Sequence, residues 1–175
     1  MAMKWHFSLR LQVVELNTGA ALTVSVQEAD FDVAALQRQL ITGTGQEGAV
    51  VTFTGHVRNA GTDQPVDSML LEHYPGMTEN SITDILRQAS ARWPLLAASV
   101  VHRVGRLQAG DQIVWVGVTS AHREAAFNAC EFVMDYLKNE APFWKKEQGP
   151  RGGQWVEARH EDRQRAARWD SDATK

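Results

Sequence analysis

The chain has 175 residues, a formal net charge of −3 and one cysteine. With 43% hydrophobic and 22% charged residues it has an ordinary globular composition, long enough for one domain with appendages, which excludes wholesale disorder. The balance leaves no overall basic field for nucleic acid, a lone Cys130 excludes an internal disulfide or a cysteine-based zinc cluster, and no apolar run reaches the length of a membrane span.

Residues 4–14, "KWHFSLRLQVV", alternate loosely as a strand would, and "ELNTGAA" then reads as a turn. No apolar signal segment opens the chain, so a cytoplasmic protein is expected. "LTVSVQE" (22–28) is strand-like. Residues 30–41 predict a short helix with Phe31, Ala34, Ala35 and Leu40 as its apolar positions. "GAVVTFTGHVRN" (48–59) is a strong strand of small and β-branched residues, and "DSMLLEHY" (67–74) is another. Residues 75–94 read as a helix with Ile82, Ile85, Leu86, Ala89 and Trp93 on one stripe, ended by Pro94.

"ASVVHRVGRL" (98–107) and "QIVWVGVTS" (112–120) predict two strands joined by the turn "QAGD". A long helix is expected from Ala121 to about Glu140, capped by Ser120, with Ala126, Phe127, Cys130, Val133, Met134 and Leu137 on its apolar face. Short strands over 142–147 and 154–158 follow, and the polar tail reads as a frayed helix running into disorder. Several strand links are too short for crossover helices, so a mixed or largely antiparallel α+β sandwich is expected. The implied division is an N-terminal extension over 1–20, one α+β domain over 21–159 and a tail over 160–175.

Cations mark the candidate site. His122 and Arg123 fall on the first turn of the long helix, where free backbone N–H groups and the positive dipole end favour an anion. An imidazole and a guanidinium there add donors for phosphate or carboxylate, and a residue set against the dipole suggests an external anion; surface charge that caps a sheet is the plainer reading. Arg58 leaves the strong strand after "GHV"; on its own it reads as a solvated arginine. Lys138, Lys145 and Lys146 bracket "APFW", an unusual crowding of ammonium groups around an aromatic turn. Lysines in such settings serve as nucleophiles, acids or bases. Lys138 follows Arg123 by about 23 Å of helix, too far for one small ligand to touch both ends within one chain. The histidines show no metal-ligand spacing, and Cys130 falls on the core side of its helix. From the lysines alone, a Schiff-base lyase acting through Lys138 and a scaffold that binds an extended peptide both stay open.

The motifs "GAVVTFTGHVRN", "LEHYPGMTE", "VVHRVGRLQAGD", "VGVTSAHREAAF", "MDYLKNEAPFWKKE" and "WVEAR" occur in this order. Together they resemble the catalytic (large) subunit family of molybdopterin synthase, over about Gly48 to Trp169. The resemblance implies an α/β hammerhead with an added antiparallel β subdomain, a mixed sheet packed by helices. It implies a sulfurtransferase that converts cyclic pyranopterin monophosphate (precursor Z) to molybdopterin without a cofactor or metal of its own. Sulfur would arrive as a thiocarboxylate on the C-terminal Gly-Gly of a small ubiquitin-like subunit, in a heterotetramer built on a homodimer of the large subunit. Matched motif by motif, Lys138 and Lys145 are the catalytic lysines. His56, Val57, Arg58, His122, Arg123, Lys146 and Glu147 join them in binding substrate, with the His122–Arg123 pair reaching the other subunit's site. His56 stands where the family commonly has lysine; a neutral imidazole there offers a hydrogen bond in place of a charge.

Overall fold

The computed structural model describes residues 12–15, 19–59, 65, 67–156 and 160–171. The expected strand over 4–14 lies largely outside them, as does part of the turn after it. Among the described residues the order is β1 (Gln12–Glu15), β2 (Ala21–Gln27), α1 (Val33–Leu40), β3 (Ala49–His56), β4 (Ser68–His73), α2 (Met77–Arg92) and β5 (Leu95–Arg103). Then come β6 (Gly105–Gln108), β7 (Gln112–Ser120), α3 (Arg123–Leu137), β8 (Phe143–Gly149), β9 (Gly152–Val156) and α4 (His160–Ser171).

The strands form two sheets, β1-β2-β5-β7-β3 and β6-β4-β8-β9. Among the described pairings only that of β2 with β5 is parallel; the long connection between them ends in α2, which packs back on both strands. Every other described pairing is antiparallel. The fold is thus α+β, with a mixed sheet packed by helices and a second, antiparallel sheet, as the motifs imply.

Strand alternation divides the core. From β5, Ala98 and Val100 join Leu22, Val24, Val116 and Val118 under Ile82, Ile85 and Leu86 of α2 and Ala126, Ala129, Phe132 and Val133 of α3. Its other face sends Ala97 and Val101 to meet Trp115, Phe31 and the Leu36 and Leu40 side chains of α1. The second sheet has a small core of its own, Val57, Met69, Leu71 and Leu107.

Four expectations need correction. The strand read over 98–107 is two strands in different sheets: Gly105, at φ 80, turns the chain out of the mixed sheet into the other. Ser120 does not cap α3. His122 is the N-cap residue, and the Ser120 hydroxyl accepts the His122 N–H at 3.3 Å while donating to the Pro94 carbonyl at 2.8 Å. Phe127 is 61% exposed, off the buried stripe of α3, whereas Ala125, Ala129, Phe132 and Tyr136 complete that stripe.

The fourth concerns the tail, where α4 docks instead of fraying. Trp169 is buried against Trp93 and Phe132 and donates its indole N–H to Asp135 at 2.9 Å. Arg168 bridges Glu131 and Asp135, Arg92 donates to the Trp169 carbonyl, and the Tyr136 hydroxyl donates to Asp170. These contacts tie α4 to the last turns of α2 and α3.

Candidate active site

Strand register places the candidate residues at two ends of the mixed sheet. In β3, Ala49 lies opposite Ser120 and His56 opposite Gln112. Helix α3 starts just beyond Ser120, so His122 and Arg123 sit at the Ala49 end, both exposed. The helix then returns over β3 and β7. Phe143, five positions past Lys138, stacks on His102 of β5, which pairs with Val114 near the start of β7. Lys138 and β8 therefore belong to the His56 end. A helix of fifteen residues separates the two groups by about 22 Å, as the spacing in the sequence predicts.

At the His56 end, the imidazole Nδ1 lies 3.0 Å from the Gly110 carbonyl, which fixes its tautomer as the Nδ1–H donor. Arg58 is exposed two residues on. Val57 between them is 3% exposed, its N–H bonded to Asp111 and its carbonyl accepting from Gly110. Its side chain belongs to the small core and both its backbone groups are bonded, between the exposed His56 and Arg58.

Lys138 is the C-cap of α3, its N–H donating to the Met134 carbonyl at 3.3 Å. The carbonyl end of a helix attracts a cation, and Lys138 is exposed there. Adjacent on β8, Lys145 and Lys146 point to opposite faces of the strand. Lys145 shares its face with Glu147, and the pair meets at 2.6 Å. Glu147 is only 8% exposed, opposite Met69 across the ladder, as Lys145 is opposite Leu71. Lys146 lies on the other face, its ammonium 5.6 Å above the Trp155 ring, a cation–π contact. The crowding read from the sequence is thus relieved: one lysine has a carboxylate, one an indole, and the third sits on a helix end.

Three groups that spacing did not single out hold the turn between the lysines. The Thr78 hydroxyl donates to the Pro142 carbonyl at 3.3 Å and accepts the Tyr74 N–H at 3.2 Å. The His102 ring stacks on Phe143 at 4.0 Å and 20°, with Nδ1 bonded to the Arg103 carbonyl at 2.8 Å. Tyr74 meets Trp144 edge-on at 4.3 Å. Burial holds the His102 imidazole down at about 4, so it is neutral at ordinary pH. Burial pushes the Cys130 thiol up to about 12, far from thiolate reactivity.

Comparison with known proteins decides the family. The model of the MoaE protein family matches residues 26–140. The chain belongs to the MoaE family. A MoaE relative from Salmonella typhimurium, named molybdopterin synthase catalytic subunit, is 58% identical over 146 residues, covering 83% of this chain and 97% of the relative. The solved MoaE protein of Burkholderia ambifaria superposes with a TM-score of 0.72 at 48% identity, over 84% of this chain and 97% of that one. A more distant likeness, in fold alone, is a chain from a complex of subunits 1 and 2 of molybdopterin-converting factor from Helicobacter pylori. It has a TM-score of 0.62 at 16% identity, over 78% of this chain and 90% of that one.

Proposed function

We propose that this chain is the catalytic large subunit of a molybdopterin synthase, a cytosolic sulfurtransferase that builds the dithiolene on cyclic pyranopterin monophosphate. The observation that carries the reading is the placement of Lys138 and Lys145 on either side of one braced turn, in a chain with the MoaE motifs. Sulfur comes from the thiocarboxylate of a small ubiquitin-like partner, whose C-terminal Gly-Gly has no side chains to obstruct a narrow approach. The buried, high-pKa Cys130 fits that route, because it is a poor carrier for an internal persulfide. Lys138 supplies an ammonium that protonates a leaving oxygen or stabilises developing negative charge. Lys145, released from or shared with Glu147, receives the incoming anion.

Reconstitution tests the activity. The purified chain, mixed with a thiocarboxylated small subunit and precursor, is expected to form molybdopterin. Removing the two glycines from the partner should eliminate sulfur transfer while only weakening docking, which rests on the folded surfaces. Equal turnover with sulfide alone and no partner would refute the reading.

The separation of His122 and Arg123 from the lysines supports a site shared across a homodimer. Mixing Arg123→Ala with Lys138→Ala chains then puts both lesions in one site of each mixed dimer and none in the other. Random exchange makes about half the dimers mixed, so activity should recover to roughly a quarter of wild type. No recovery after exchange proven by mass spectrometry would place each site within one chain.

A further inference from the structure

Lys138 and Lys145 belong to different layers of the fold. Lys138 ends α3, which packs on the mixed sheet, whereas Lys145 belongs to β8 of the antiparallel sheet. Their relative placement therefore depends on what joins the two layers. Phe143, at the start of β8, packs against both the main core and the small core of the second sheet. Its ring rests on His102 of β5, in the mixed sheet, at 4.0 Å and near-parallel. The His102 imidazole is itself pinned by the Arg103 carbonyl at 2.8 Å. Phe143 and Lys145 are two apart in one strand and share a side of it, so a roll of the Phe143 ring carries Lys145 with it.

The neighbouring residue is held as well. Pro142 has no N–H, so its carbonyl is the backbone group left to anchor it. That carbonyl takes the Thr78 hydroxyl, and Thr78 is fully buried at 0% exposed. The hydroxyl is fixed in turn by the Tyr74 N–H, and the Thr78 N–H returns to the Tyr74 carbonyl at 3.0 Å. Two consecutive residues of the turn thus have one anchor each, from α2 and from β5.

We propose that the Thr78 hydroxyl and the His102–Phe143 stack form the joint that sets the spacing of Lys138 and Lys145, making Thr78 and His102 positioning residues for sulfur transfer. The proposal rests on the molybdopterin synthase reading for its chemistry. Neither residue touches substrate; each acts on catalysis through the turn. A structural threonine or histidine would affect stability alone, whereas a joint between catalytic groups affects the rate of chemistry more than binding.

The test uses the complete two-subunit enzyme with precursor and thiocarboxylated partner. Thr78→Val removes the hydroxyl at constant shape and Thr78→Ser restores it; His102→Ala removes the ring and His102→Phe restores a stacking surface. Val and Ala are expected to lower kcat about tenfold or more, the scale of a misplaced catalytic group, with KM for the precursor and affinity for the small subunit held within about twofold. Ser and Phe should return kcat to within about threefold of wild type. Amide hydrogen exchange over residues 139–144 should quicken about tenfold in the Val and Ala proteins and not in their conservative counterparts. Should the fully buried Thr78→Val fail to fold, His102→Ala, at a half-buried site, carries the same comparison.

Unchanged kcat, a rise in KM matching the fall in kcat, or failure of both conservative variants to rescue would overturn the proposal. A wild-type enzyme without turnover would instead overturn the functional reading. Exchange then still reports on the joint, and unaltered exchange in Val and Ala would overturn it independently.

Discussion

Lys138→Ala is expected to reduce dithiolene formation by at least about two orders of magnitude, the contribution of a well-placed acid or charge-stabilising group. The fold should survive, because the side chain is exposed at the end of α3 and the cap bond to Met134 is made by the backbone. Neither neighbour can stand in. Lys145 is engaged with Glu147 at 2.6 Å, and Lys146 faces the opposite side of β8 over Trp155. Single-turnover assays with saturating partner separate this loss from weak docking. Circular dichroism and thermal unfolding establish that the variant is folded. A folded variant with wild-type turnover would remove Lys138 from the mechanism.

Gly48→Ala is expected to cost about 3 kcal/mol of stability, toward the upper end for forcing extra atoms into a filled space. A Cβ on Gly48 would lie 2.1 Å from the Ala121 carbonyl oxygen and 3.0 Å from its carbon. The backbone sets the position of a Cβ and the atoms it meets are backbone, so no rotamer relieves the clash. Gly48 is also bonded through its N–H to the Ser120 carbonyl at 3.1 Å, which prevents it from backing away. For a chain of this size the midpoint of thermal unfolding should fall by about 6–12 °C. The displaced segment runs directly into His122 and Arg123, so KM for the phosphate-bearing precursor should rise in the same variant. An unchanged midpoint would mean that the turn before α3 yields freely, and the anion site proposed at His122 and Arg123 would lose its rigid support.

The regular elements were readable because their signals are local. β3 and β7 are rich in β-branched residues, and α2 keeps Ile82, Ile85, Leu86 and Ala89 on one stripe, all four buried in the fold. The break between β5 and β6 was not readable, since strand-forming residues continue across it and only the backbone of Gly105 marks the change of sheet. Helix α4 gave no apolar stripe because it is anchored by one tryptophan together with the charged Arg168 and Asp170 on either side of it. Within the site, the lysines stood out by their crowding. Their partners did not: Thr78 meets Pro142 across 64 positions of sequence, and no short-range pattern encodes such a contact. Phe127 shows the opposite failure, an apolar residue that fits the helical pattern loosely and faces outward at 61% exposure.

The docking of α4 also gives the end of the chain an optical signature. Trp169 and Trp93 stand with ring centroids 5.6 Å apart and planes at 85°, with Phe132 against both. Two indoles that close, at a fixed non-parallel angle, are placed to couple their transition dipoles, and such coupling gives a paired band of opposite signs in circular dichroism when the dipoles are neither parallel nor coplanar. The band exists only while α4 is seated. Light absorption thus reads the seating of the last helix separately from the sheets, and a chain that loses α4 loses this signal before it loses its strand content.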